Sequence, residues 1–396
     1  MLDVAVAGGS IGGLCAGIAL RGIGCNVEIY ERTLGAMASR GAGIVAQPQL
    51  LRLVRDSGAP ELPTTSCLYR LHLRPDDGHG ARTEQPLRFT SWYAIHRTLK
   101  AAFPVNRYHP GSSLVGFDQT AGYVQAHLAD GRDIKVDLLV CADGSRSAMR
   151  RRLVPDAQPH YAGYVAWRGT IEEEYAPHEL VRFFDQSFTI CAGRSGGHIL
   201  CYFIPGAAAA TEDGARHLNW VWYVRVSEGP ELERLLTDKS GALHEASVGA
   251  GMVPAERVTE VHALAARELH PRFVELVQRT QDPFIQAIID LTVTRMALGR
   301  VCLVGDAAFV LRPHPGAATA KAAADAMTLA AALELRPDDP PAALRAWERR
   351  QLDYGSSLAN QAMVVGKRSV EHHCASRDPA ELAERFHGIS PVLPLV

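Results

Sequence analysis

The run Val4-Ala5-Val6-Ala7 leading into Gly8-Gly9-Ser10-Ile11-Gly12-Gly13 constrains the fold of this chain more than any other stretch. A short apolar strand, a glycine-rich turn and an Ala/Leu-rich helix from Leu14 to Leu20 open a strand–helix–strand unit. Gly24 follows, then a second strand, Val27-Glu28-Ile29-Tyr30-Glu31. At this spacing the two strands belong to one parallel sheet, with the helix as their crossover. Gly8 supports the tight turn, and Gly13 lets helix and strand pack closely. The free N–H groups at the helix start, around Ser10, can hold a diphosphate. Glu31 ends the second strand, where a carboxylate can accept hydrogen bonds from a ribose; Arg32 follows it. Ser10 replaces the middle glycine of the strict pattern, so this motif alone also fits an ordinary glycine-rich strand–helix turn.

Two further strand–glycine segments follow, Val136-Asp-Leu-Leu-Val-Cys-Ala-Asp143-Gly144 and Gly299-Arg-Val-Cys-Leu-Val-Gly305-Asp306. The second leads into a long Ala-rich helix from about Ala317 to Leu333. Between them the texture changes. Residues 161–226 are rich in β-branched and aromatic residues with Gly and Pro breaks, the mark of an antiparallel sheet. The expected fold is therefore α/β: a Rossmann-like domain, an inserted, mostly antiparallel β-sheet domain for substrate, and a C-terminal helical extension. The expected division is 1–66, 92–160 and 286–335 for the nucleotide domain, 67–91 and 161–285 for the substrate domain, and 336–396 for the C-terminal helices. At 396 residues, with 47% apolar and 21% charged, the chain is long enough for several cores and is not a disordered composition. A net charge of −2 and no basic run argue against nucleic acid. No stretch of eighteen apolar residues exists to span a membrane. The immediate first strand leaves no room for a signal peptide. Eight cysteines without a Cys-x-x-Cys pair fit reduced thiols in a cytoplasmic protein, with neither zinc nor redox disulfide expected. A homodimer is the candidate assembly.

The later motifs carry a resemblance. Asp143-Gly144-Ser145-Arg146-Ser147-Ala148-Met149-Arg150 resembles the Asp-Gly-x-x-Ser-x-x-Arg signature of class A flavoprotein aromatic hydroxylases. Gly305-Asp306-Ala307-Ala308, with Pro313, Gly316 and Asp325 at the expected offsets, is similar to that family's Gly-Asp motif. Tyr161-Ala-Gly-Tyr-Val-Ala-Trp-Arg-Gly169, Arg312-Pro-His314 and Lys321 resemble its 2,6-dihydroxypyridine 3-hydroxylase branch. Some positions depart from the pattern. Phe309 replaces a common His, Ala318 and Ala320 stand where Gly and Asn are usual, and His96 beside Arg97 occupies an Arg-like position. Contacts of the flavin loop are mostly backbone N–H, which Ala supplies, so cofactor binding is expected to survive.

The resemblance implies FAD as cofactor and NADH or NADPH as co-substrate. It implies that dioxygen adds to the reduced flavin as a C4a-hydroperoxide, whose distal oxygen passes to an electron-rich aromatic carbon. By the same resemblance, Arg40 and Gly43 lie near the flavin, as do Gly316, Ala318, Thr319 and Ala320. Asp143 supports the region shared by flavin and pyridine nucleotide, or caps the helix after it. Asp306 is placed to accept hydrogen bonds from ribityl hydroxyls, the alternative being a helix cap. His314, directly after Pro313, is the candidate for deprotonating a hydroxylated ring. Tyr202 and Trp222 lie on the aromatic strands, either lining the pocket or packing the sheet. Trp220-Val-Trp222-Tyr-Val224-Arg225 approaches the Trp-x-Trp-x-Ile-Pro mark of flavin halogenases but fails its last two positions, and reads as a strand. His372-His373-Cys374 looks metal-like but lacks partner spacing. The expected function is hydroxylation of an electron-rich ring, a hydroxylated pyridine in particular. The rivals are an oxidase or halogenase of the same fold, and a non-catalytic flavin-binding protein.

Overall fold

Asp3–Ala7 is buried along its length except at Asp3, as a central parallel strand covered on both faces must be. It lies between Asn26–Glu31 and Leu138–Cys141, both parallel to it. Val301–Leu303 and Tyr108–Pro110 extend the parallel sheet on either side, and the short hairpin strand Ala297–Leu298 closes one edge, six strands in all. The structure is a computed structural model that describes residues 1–35, 43–76, 80–371, 386–389, 391 and 393. Arg40 and His372-His373-Cys374 lie outside the described residues.

The helix Ile11–Gly22 packs on this sheet, and the helix Ala318–Leu335 packs on it in turn. Ala320, Ala322, Ala323, Ala324, Ala326 and Ala330 are all buried, so the second helix is enclosed nearly all round. Small side chains on both helices permit that close approach. The resulting core joins the sheet, both helices and the start of the long helix Pro340–Glu371.

The second sheet has nine strands. Its spatial order is Ser247–Val248, Phe284–Asp290, His160–Glu172, His217–Arg225, His198–Ile204, Ser187–Ala192, Thr65–Leu73, Ala81–Ser91 and Gly43–Val45. It is antiparallel except where Ser187–Ala192 meets Thr65–Leu73. Side chains alternate between its faces. Val165, Trp167, Trp220, Trp222 and Phe203 face one core, which also takes in Val261 and Phe273 of the helices Ala255–Glu268 and Pro271–Arg279. Tyr164, Ala166, Leu200, Tyr202, Val221 and Tyr223 face the other way.

The chain crosses between the sheets more often than the sequence suggested. Gly43–Val45, expected in the first nucleotide segment, pairs instead with Ala81–Ser91 of the nine-stranded sheet. Phe284–Asp290 runs across the expected boundary at 285. The three-stranded sheet of Leu114–Gln119, Val124–Leu128 and Asp133–Val136 and the helix pair spanning 255–279 were not anticipated. Near the C-terminus, Phe386–Ile389, Pro391 and Leu393 dock back onto the body. Arg70, 5% exposed, donates to the carbonyls of Phe386 (3.4 Å) and Ile389 (2.6 Å). Gln47 bonds Pro391 and Leu393 through its side-chain amide. No helix among the described residues is long and apolar enough to cross a membrane.

Candidate active site

A large cavity lies where the glycine turns of the parallel sheet meet the inner face of the nine-stranded sheet. Its nucleotide side begins at the first turn. Gly8 holds φ +99°, and a Cβ there would meet the carbonyl oxygen of Ala142 at 2.5 Å; a Cβ on Gly13 would collide with the carbonyl of Gly8. Both positions therefore need glycine, the first for conformation and both for close approach. Ser10, Ile11 and Gly12 line the cavity and bring the free N–H groups of the helix Ile11–Gly22 to its wall.

Glu31 is not part of that wall. It is 8% exposed; one carboxylate oxygen accepts from the Gly9 N–H (2.7 Å) and the other from the Thr33 N–H (2.7 Å). Its visible task is to clamp the turn to the strand end, although each oxygen keeps a lone pair. The Gly9 carbonyl accepts from the Tyr108 hydroxyl (3.0 Å) and lies 3.3 Å from His96 Nε2, the ring at the Arg-like position. Arg32 is exposed and lies outside the cavity wall.

Asp143 does what a capping residue does. Its Oδ2 accepts from the N–H groups of Ala148 (2.9 Å) and Met149 (3.4 Å), while Ala142 and Gly144, on either side of it, line the cavity. Arg150 forms no ion pair with it in this arrangement. The guanidinium donates to the carbonyls of Ser145 (2.7 Å) and Ala307 (3.3 Å), tying the second motif to the third.

Asp306 behaves differently. The turn Gly305–Ala307 has no side-chain cap, and the Asp306 side chain is exposed within the cavity wall. Its place inside the cavity, shielded from bulk water, raises its pKa, opposed by the charge of Lys321. Below the turn, Lys321 Nζ meets Asp325 Oδ2 at 2.6 Å, both fully buried, and the same oxygen accepts from the Gly305 N–H at 2.8 Å. That pair fixes the backbone that presents Asp306. Phe309 packs against Gly355, with Lys321 Nζ 4.7 Å from its ring centre.

The flavin-like loop enters next. Pro313, His314, Gly316, Ala317, Ala318 and Thr319 line the cavity at the N-terminus of Ala318–Leu335. Ala320 is fully buried one step further into the helix and off the wall. His314 is 2% exposed; its Nε2 is 2.8 Å from the Tyr164 hydroxyl, and its ring leans on Tyr223 with centroids 4.5 Å apart. Burial, with His198, Arg312 and Arg168 nearby, holds its pKa well below the ordinary histidine value. A neutral imidazole suits hydrogen bonding, and the surrounding cations disfavour storing a proton on it. Arg312 is itself paired bidentately with Asp290, Nε at 2.9 Å and Nη2 at 2.7 Å.

The sheet side separates the two aromatic candidates. Tyr202 lines the cavity, its ring stacked 4.0 Å from Phe89; Trp222 points to the opposite core and is no wall residue. Trp220 points the same way as Trp222 and donates to Thr280 at 2.8 Å, so the halogenase-like string is sheet core. A Cβ on Gly43 would meet the Tyr202 ring at 2.6 Å, which explains glycine there. The sequence reading missed Arg168, Tyr223 and Trp92, all in the wall. The available signal for Arg168 was a charged residue inside an aromatic, β-branched strand.

Several polar atoms at or beside this cavity are buried with no hydrogen-bond partner: Asp143 Oδ1, Arg168 Nε, Asn219 Nδ2, His314 Nδ1 and Thr319 Oγ1. Native interiors hold few such atoms, and a cluster of them marks a place completed by a ligand or water. Two helix N-termini, one open carboxylate and this cluster fit a long ligand that is anionic in one part and polar in another, as FAD is.

Comparison with known proteins agrees. A family model described as FAD binding domain-like matches residues 161–290. The 2,6-dihydroxypyridine 3-monooxygenase of Paenarthrobacter nicotinovorans is 35% identical over 97% of this chain and 95% of its own. The 6-hydroxynicotinate 3-monooxygenase of Bordetella bronchiseptica is 23% identical over 90% and 89%. Among solved structures, 2,6-dihydroxypyridine-3-hydroxylase from Arthrobacter nicotinovorans superposes with TM-score 0.90 at 33% identity, covering 100% of this chain and 99% of that one. With its glycine turns, its cavity and near full-length similarity to one such enzyme, this chain belongs to the class A flavoprotein aromatic monooxygenases.

Proposed function

We propose that this enzyme hydroxylates a pyridine ring that already carries hydroxyl groups, taking electrons from NADH or NADPH and one oxygen atom from dioxygen. The observation that carries the reading is the cavity itself. A flavin-binding wall faces a wall of Tyr202, Tyr223, His314 and Arg168, polar groups set in an otherwise apolar surface. Similarity to the 2,6-dihydroxypyridine and 6-hydroxynicotinate monooxygenases supports the substrate class.

FAD, once bound and reduced, supplies the activation of dioxygen. The chain's own residues do the rest. N–H groups at Ile11 and Gly12 would hold the diphosphate. Asp306 would accept hydrogen bonds from ribityl hydroxyls, and the backbone at Ala317–Thr319 would hold the flavin ring. The Tyr202 and Tyr223 rings would pack beside the substrate and keep water out of the site. His314, anchored through Nε2 by Tyr164, orients a substrate hydroxyl rather than storing its proton. Pro313 fixes the backbone entering that loop.

The reading is tested by offering a panel of hydroxylated pyridines and phenols to the holoenzyme and following NAD(P)H oxidation. A dihydroxypyridine should stimulate oxidation more than a monohydroxy or unsubstituted ring, because an electrophilic oxygen prefers an electron-rich carbon. Equal, substrate-independent oxidation with hydrogen peroxide as the sole product would point to an oxidase instead.

A further inference from the structure

Among the described residues, Arg168 is a cation without an anion. It sits in the strand His160–Glu172 between Trp167 and Gly169, paired across the sheet with Val221, which in turn pairs with Leu200. Among the described residues no carboxylate makes an ion pair with it, and its Nε is buried with no hydrogen-bond partner. The residue is half-buried and lines the cavity. Arg312, two residues before His314 and outside the wall, has its carboxylate in Asp290, so the contrast is local. A guanidinium cannot shed its charge, and half-burying it unpaired is costly unless something negative completes it. Its charge also reaches the polar side chains around it: it lowers the pKa values of Tyr202 and Tyr223 against the raising effect of burial, and that of His314 along with burial.

We propose that Arg168 is the receptor for a ring oxyanion, so that the enzyme selects its hydroxypyridine in the ionised form. The inference rests on the hydroxypyridine reading above and names the charge state of that substrate. The proton leaves to solvent before binding, and the guanidinium then donates hydrogen bonds to the ring oxygen. An oxyanion pushes electron density into the ring, which is what attack by an electrophilic oxygen requires. His314 and Tyr223 are left to orient the ring, and neither has to serve as a strong base. Arg168 thus determines specificity for ionisable rings over neutral ones.

The test is equilibrium titration of FAD-loaded wild type, Arg168→Lys and Arg168→Met, following the change in flavin absorbance and needing no turnover. Probes are a dihydroxypyridine, its dimethoxy ether and 6-hydroxynicotinate. The expected result is that Arg168→Met weakens the dihydroxypyridine by about ten- to hundredfold, the loss of a charge-assisted contact. Arg168→Lys should recover most of it, the ether should bind all three proteins alike, and the ring bound to wild type should show the absorbance of its anion. Unchanged dihydroxypyridine affinity in Arg168→Met overturns the proposal, as does loss of FAD from Arg168→Met and Arg168→Lys together. Dependence on Arg168 confined to 6-hydroxynicotinate overturns it in favour of a carboxylate receptor. Failure of wild type to bind any hydroxypyridine overturns the functional reading and this inference with it, a different outcome from tight binding indifferent to residue 168.

Discussion

Asp306 and Asp143 are both acidic residues following a strand in a glycine turn, yet the structure gives them opposite settings. Asp143 spends one oxygen on the N–H groups of Ala148 and Met149. Asp306 caps nothing and stands open in the cavity wall, on a turn held from beneath by Asp325 and Lys321. Replacing Asp306 with Ala should therefore weaken FAD by roughly 1–3 kcal/mol, about ten- to hundredfold, with the fold intact. Fluorescence titration of the apoprotein with FAD measures it, and wild-type affinity would remove Asp306 from the cofactor site. At this scale the sequence was readable where chemistry forces one residue type. Gly8 and Gly13 are such positions, since a Cβ at either runs into backbone. It was least readable for Tyr202, Trp222 and Tyr223. Residues 198–204 and 218–223 are buried throughout, so neither strand shows a polar alternation to say which face meets the cavity. Arg168 broke the apolar pattern of its strand and was the available clue.

Elements distant in sequence complete the site, and here local pattern carries little information. Gly43–Val45 joins the far edge of the nine-stranded sheet, and Phe386–Ile389 returns to cover it, with Ile389 in the cavity wall. The docking of that C-terminal segment rests on long-range bonds from Arg70 and Gln47, which no periodicity announces. Arg70→Ala removes bonds from a buried guanidinium to two carbonyls and should cost about 1.5–3 kcal/mol at that contact. The expected consequence is a looser cavity, seen as more hydrogen peroxide formed per NAD(P)H consumed in the presence of substrate. Unchanged coupling would show that the segment does not seal the site. His72, stacked on Phe386 at 5.8 Å, adds a pH dependence. Burial, reinforced by the charge of Arg70, lowers its pKa from 6.5 to about 4. The unfolded chain then binds the proton more readily than the folded one, so this residue's stabilising contribution is present above pH 6.5 and is lost as pH falls towards 4. Urea unfolding at pH 7 and pH 5 should show a smaller difference for His72→Gln than for wild type. An identical difference would mean that His72 binds its proton equally in the folded and unfolded chains.

On the scale of the whole molecule, the two sheets divide the work. The parallel sheet ends in glycine turns suited to a dinucleotide, and the nine-stranded sheet turns one face of Tyr202, Val221, Tyr223 and Arg168 towards them. The α/β class and the inserted sheet were legible because strand–helix alternation and β-branched, aromatic runs are local signals. The interleaving of the sheets was not, because pairing partners are fixed by tertiary packing. Oxygen transfer at the meeting of the two is the central claim, and isotopic labelling tests it most directly. The holoenzyme should turn over a dihydroxypyridine with NAD(P)H under labelled dioxygen, and the product should be analysed by mass. One labelled oxygen atom is expected in each product molecule, and none when the label is in water. Oxygen derived from water, or an unchanged ring accompanied only by hydrogen peroxide, would contradict it.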